Sequence, residues 1–156
     1  MAFVIPDSLL NAYATNNRIN LYLLEHLPEE VWRMKAPGGK GRDAAGIFVH
    51  MHNVRLMWLK AIGTAEMPAK LEPSTATKAD VKEALEASSL AVGAVLQRAL
   101  ASDGKVKGFK PDAGSFLAYL LAHDAHHRGQ ITMLARHCGH AVSQSAMFGL
   151  WEWGTR

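Results

Sequence analysis

His123 and His127 stand four residues apart in the segment His123-Asp124-Ala125-His126-His127-Arg128-Gly129-Gln130, inside an apolar stretch near the C-terminus. On an α-helix that spacing places two imidazoles on one face, one turn apart, within reach of a single metal ion. Neutral imidazole is the commonest protein ligand for zinc and also suits nickel, copper and iron. Two ligands on one rigid helix fix much of a metal site's geometry, so a third must come from another element.

The best source of a third ligand is the segment Ile47 to Ala61. Read as a helix, it carries Ile47, Met51, Val54, Met57, Trp58 and Ala61 on one apolar stripe. His50 projects between Ile47, Val54 and Met57 and so points into that stripe. His52 falls nearer Phe48, Arg55 and Leu59, on a flanking face. A histidine aimed into a core is costly unless hydrogen-bonded or ligated, which favours His50, with His52 as the competing assignment. His126 and His137 read as surface or interface residues, and His26 and His140 as helix-end residues. Spacing alone is a weak signal, since eight histidines in 156 residues produce chance pairs.

The segment His123 to Gln130, with His50 in an apolar helix ending in Trp58-Leu59, resembles the DinB/YfiT-like family of metalloenzymes. The ending Gly149-Leu150-Trp151-Glu152-Trp153-Gly154 is similar to that of many members. The resemblance covers essentially the whole chain, specific at His-x-x-x-His-Arg-Gly-Gln and looser elsewhere. It implies an all-α four-helix bundle of up-up-down-down topology and a metal site at His50, His123 and His127. It also implies a homodimer. Characterised relatives include thiol-dependent transferases and an isomerase, and others are described as hydrolases, so the substrate is expected to be a small molecule, with a low-molecular-weight thiol as a candidate cosubstrate.

Three protein ligands leave at least one coordination position open, as in catalytic zinc sites. A divalent ion there can lower the pKa of bound water to about 7, or hold a thiolate as a ready nucleophile. Zinc is the default from ligand chemistry; nickel and manganese are alternatives, because imidazoles discriminate poorly. No general acid or base is evident. Tyr13, Asn17 and Asn20 either face the open end of the site or are a packed ring and solvated amides. Asp124 is a candidate to orient a histidine or else forms a surface ion pair with Arg128, which would tie its helix to a neighbour. Gly129 would allow a close helix contact, with Gln130 bonding across it. Trp151, Glu152 and Trp153 either cap the bundle or cover the pocket mouth. A different class of function, a helical interaction domain with a structural or vestigial metal, is motivated by the missing proton-transfer residue.

The rest of the chain predicts one domain over 1–156. Hydrophobic residues make up 49% and charged residues 20%, enough to bury a core and too apolar for disorder. A lone cysteine, Cys138, excludes an internal disulfide and fits a reducing cytoplasm. There is no membrane-length apolar run, and the start Met1-Ala2-Phe3-Val4-Ile5-Pro6-Asp7 lacks the pattern of a leader peptide, so a soluble cytoplasmic protein is expected. The net charge of +3 is modest. The groups Lys35, Lys40, Arg42 and Lys105, Lys107, Lys110 read as solvated loops without interleaved aromatics, which gives no support for nucleic-acid binding.

Four helices must position the histidines. They are expected at about Pro6 to Leu27, Asp43 to Ile62, Thr77 to Leu100 and Asp112 to Cys138. Pro28 and Gly63 act as stops, Asp43 as an N-cap, and Thr77 with Asp80 as a capping box. The third helix is expected to turn Val81, Leu85, Leu90, Val92 and Leu96 inward. An extended link of about 12 residues spans about 40 Å, so the intervening links can run back along a bundle. The apolar surplus in Met51, Leu56, Leu59, Met133 and Met147 is consistent with a subunit interface.

Overall fold

The computed structural model describes residues 4–65 and 67–156; Met1 to Phe3, part of the segment read for a leader, and Glu66 lie outside it. Local chemistry sets the helix ends. Pro6 stands in the first turn of α1 (Ile5–His26), where a missing N–H costs nothing. Asp43 caps α2 (Ala44–Ile62) by accepting the Gly46 N–H at 2.7 Å, and Gly63 closes it in the left-handed region at φ 84°. Thr77 and Asp80 form the reciprocal capping box of α3 (Lys78–Leu100). Asp112 caps α4 (Ala113–His137) through the Ser115 N–H. A short α5 (Gln144–Gly149) and 3-10 turns at Glu29–Arg33 and Trp153–Thr155 were not expected. Each is too short to show a periodic apolar pattern.

The four long helices form the expected all-α bundle, with an apolar cluster towards each end. One cluster joins Leu23 and Leu24 of α1 to Ile47 and Met51 of α2, Val81 and Leu85 of α3, and Ile131 and Leu134 of α4. The other joins Tyr13, Leu59, Leu96 and Phe116 from the opposite halves of the same helices. Thus α1 and α4 run one way and α2 and α3 the other. The order is up-down-down-up, a correction to the expected up-up-down-down. The cause is the link between α2 and α3, which returns along the outside of α2 so that the two helices lie parallel. His52 Nε2–H donates to the Ala69 carbonyl at 2.9 Å, and Asn53 exchanges two hydrogen bonds with Leu71.

That link also changes the faces of α2. His52 and Arg55, expected on a flanking face, are 0% and 1% exposed, because α3, α4 and the returning link cover the helix on every side but one. On α3, Leu90 faces solvent, contrary to expectation, while Val81, Leu85, Val92 and Leu96 are buried. Met51, Leu56 and Leu59 are absorbed into the bundle core, which removes most of the apolar surplus read as an interface; Met133 stays exposed. Among the described residues no helix is long and apolar enough to cross a membrane.

Gly149, and not Gly129, is the glycine of close approach. A Cβ at Gly149 would collide with the Tyr22 ring, whereas one at Gly129 meets nothing within 4 Å. Gly129 is therefore a helix-interior glycine facing outward. Gly129→Ala is expected to raise stability by about 0.5–1 kcal/mol, since alanine loses less backbone entropy in a helix. Chemical denaturation checks this, and a loss of stability would show that the outward face needs the missing side chain.

Candidate metal centre

α2 and α4 pack against each other, and His50 from the first meets His123 and His127 from the second. One ring nitrogen of each lies within 4.8 Å of the others. The ring centroids are 4.4 Å apart for His123 and His127, 4.7 Å for His50 and His127, and 5.4 Å for His50 and His123. His50 and His123 are half-buried and His127 is 5% exposed, so the cluster lies in the groove between the two helices and not in the core. The stripe expected to receive His50 is partly open, since Met57 is 52% exposed.

The donor set fits a divalent ion. His127 Nδ1–H donates to Gln130 Oε1 at 2.7 Å, which leaves the lone pair on Nε2. That Nε2 faces His123 Nε2 at 3.1 Å. Two nitrogen lone pairs so close repel unless a proton or a cation lies between them. Zinc–nitrogen bonds of about 2.0–2.1 Å in a tetrahedron put two ligand nitrogens about 3.3 Å apart, close to that separation. Burial, assisted by the charge of Arg42 and by the other two histidines, pushes His50 down to about 4. Burial also lowers His127, against the raising effect of its bond to Gln130. Both rings are therefore neutral at neutral pH, the form in which imidazole binds metals. His52 is spent on Ala69 and His126 is exposed, so neither joins the cluster.

A family model described as the DinB family matches residues 3–153. The chain belongs to the DinB family. Searches of curated proteins and of solved structures returned no match.

Behind the histidines of this DinB bundle lies a buried polar network that the sequence did not announce. Asp124, 1% exposed, accepts from Asn16 Nδ2 and Asn20 Nδ2 at 2.7 Å each and from Arg55 at 2.8 Å, all on Oδ2. Arg55 also donates to Asn17 at 2.8 Å and to the Leu85 carbonyl at 3.1 Å. Arg128 donates to Asn16 and Asn20 at 2.8 and 2.5 Å. One carboxylate thus ties α4 to α1 and α2, and Arg55 carries the network on to α3. Desolvation alone would raise the Asp124 carboxyl, but the Arg55 charge and the donated hydrogen bonds hold it well below the usual carboxylate range.

Several expectations are corrected by this network. The i, i+4 pair of Asp124 with Arg128 does not form: Arg128 bonds the α1 asparagines instead, which does tie α4 to its neighbour as expected. Asn17 and Asn20 are buried in the network and neither solvated nor at the metal groove, and Tyr13, 2% exposed, has its hydroxyl buried without a partner. Asp124 Oδ1 lies 3.7 Å from His123 Nδ1, too far for a hydrogen bond. Gln130 bonds within its own helix, to His127, and not across a helix contact. Trp151 and Trp153 line a separate cavity of about 490 Å³ with Ala125, Arg128 and Gly129, away from the histidines. The signal that could have found the network was the run Asn16-Asn17 with Asn20, polar residues at helical spacing on the inward face of α1.

Proposed function

We propose that this DinB protein is a metal-dependent enzyme that joins a small thiol to an electrophilic small molecule, with the metal held by His50, His123 and His127. The observation that carries the reading is the convergence of three imidazoles within 4.8 Å, with no other side chain of metal-binding type in the group among the described residues. When bound, the ion supplies Lewis acidity in the position that three ligands leave open, with zinc the default and nickel or manganese alternatives. The protein's residues do the rest. Gln130 holds His127 in one tautomer, and α4 fixes the spacing of two ligands.

Thiol transfer is favoured over hydrolysis because, among the described residues, no general base accompanies the histidines. The nearby carboxylate, Asp124, is ionised but has one oxygen filled by three donors. A thiol, with a pKa of about 8.5, needs far less help to ionise than water at about 15.7. In the reaction the sulfur forms a bond to the electrophilic carbon, the leaving group departs with its electron pair, and the thiol proton goes to solvent. The reading extends to a homodimer acting without nucleic acid or membrane, in the cytoplasm.

Purified protein is expected to carry about one divalent ion per 17.0 kDa chain by elemental analysis and to scatter light as a dimer. Absence of stoichiometric metal after reconstitution would refute the enzyme reading. A metal that exchanges no ligand with solvent would favour a helical interaction domain with a structural ion. That second reading draws on the missing acid–base group.

A further inference from the structure

A second cleft, of about 370 Å³, opens beside the histidine cluster between the loop 36–42 and the end of α4. Its lining includes Lys40, Arg42, Gln130 and His137, and no carboxylate. Two residues join it to the cluster. Gln130 is the hydrogen-bond partner of His127, and Ile47 lies one turn before His50 on α2. The loop is built to present its charges. Gly38, Gly39 and Gly41 take φ of 93°, 70° and 89°, a region closed to most side chains, and Cys138 Sγ donates to the Lys35 carbonyl at 3.5 Å, fastening the loop to α4.

Several other cations of this chain are occupied, among them Arg55 by Asp124, Lys78 by Glu29 and Arg128 by two asparagines. Among the described residues Lys40 and Arg42 have no ion-pair or side-chain hydrogen-bond partner. Two unpaired cations over a cleft free of carboxylates form a field that attracts an anion, and a guanidinium fork suits a carboxylate or phosphate oxygen pair. We propose that Lys40 and Arg42 bind an anionic group of the small-molecule thiol, placing its sulfur towards the histidine cluster. This deepens the reading of the site as a metal-dependent thiol transferase and rests on it. The two residues are specificity-determining and take no part in bond making.

The test uses the full chain loaded with cobalt(II). Visible absorption first reports the ion among the histidines; then mercaptopropionate and its neutral amide are titrated separately, and thiolate-to-cobalt absorption gives each affinity. The wild-type chain is expected to bind the carboxylate at least about tenfold more tightly than the amide. Lys40→Gln/Arg42→Gln should lose about that factor for the carboxylate and leave the amide unchanged. Lys82→Gln/Arg98→Gln, an equal loss of charge on the exposed side of α3, should keep the preference. Equal affinities in the wild-type chain, or a preference that survives in the Lys40/Arg42 variant, would overturn the proposal. A chain that takes up no cobalt overturns the metal reading, and this inference with it, before any thiol is added.

Discussion

Replacing His50, His123 or His127 with alanine is expected to abolish tight metal binding, while His52→Ala and His126→Ala leave it intact. The three rings converge from two helices to within 4.8 Å. Among the described residues no fourth group of metal-binding type completes the set, so two ligands must hold the ion alone once one is lost. Removing an outer hydrogen-bond partner of a metal ligand costs about 10–100-fold in affinity. Loss of a ligand should exceed that, and Gln130→Ala should fall inside it. Equilibrium dialysis with zinc under a competing chelator measures all of these on one scale. If His52→Ala released the metal and His50→Ala did not, the assignment of the α2 ligand would be wrong. His52→Ala should instead lower stability, because its Nε2–H pins the returning link at Ala69.

Breaking the Arg55–Asp124 pair should have the largest effect on folding. Both side chains are about 1% exposed and meet at 2.8 Å. Removing either leaves the other charge buried without compensation, which costs about 3–5 kcal/mol. Asp124→Ala and Arg55→Ala should each reach that range in urea denaturation, and the double variant should cost much less than their sum. Additive losses would show that the pair is not coupled. The pH dependence has a definite sign. The folded carboxyl lies below its unfolded value, so its contribution is present in full above the unfolded pKa of about 3.9 and is lost as pH falls towards the folded value. Asp124→Asn should abolish that acid-side decline and be less stable at neutral pH.

The histidine cluster and the buried network differ in how far a local pattern could reveal them. The His123/His127 spacing is a property of one helix, so it was readable without a partner. His50 was placed by its position among Ile47, Val54 and Met57, and the structure brings it to the cluster, although in a groove and not in a core. Arg55, by contrast, was read only as a neighbour of His52 on a flanking face. Its burial depends on Asn17 of α1, Leu85 of α3 and Asp124 of α4 arriving around it, and no periodicity in α2 encodes that. The α1 asparagines were ambiguous for the same reason: an amide on an inward face is solvated or networked according to what arrives opposite it.

The sequence by itself determined the four helices, nearly to their ends, because caps such as Asp43, Thr77 and Asp112 act over three residues. It also determined the family, through the residues His123 to Gln130, and the pair of histidines that share α4. Only the tertiary structure decided the direction of the helices, since long links permit either a turn or a return path. It alone paired Asp124 with Arg55, 69 residues apart in the chain, and brought Lys40 and Arg42 beside the histidine cluster. Helix signals are local in sequence; charges and ligands meet only where separate elements pack, and that is fixed by burial across the whole bundle.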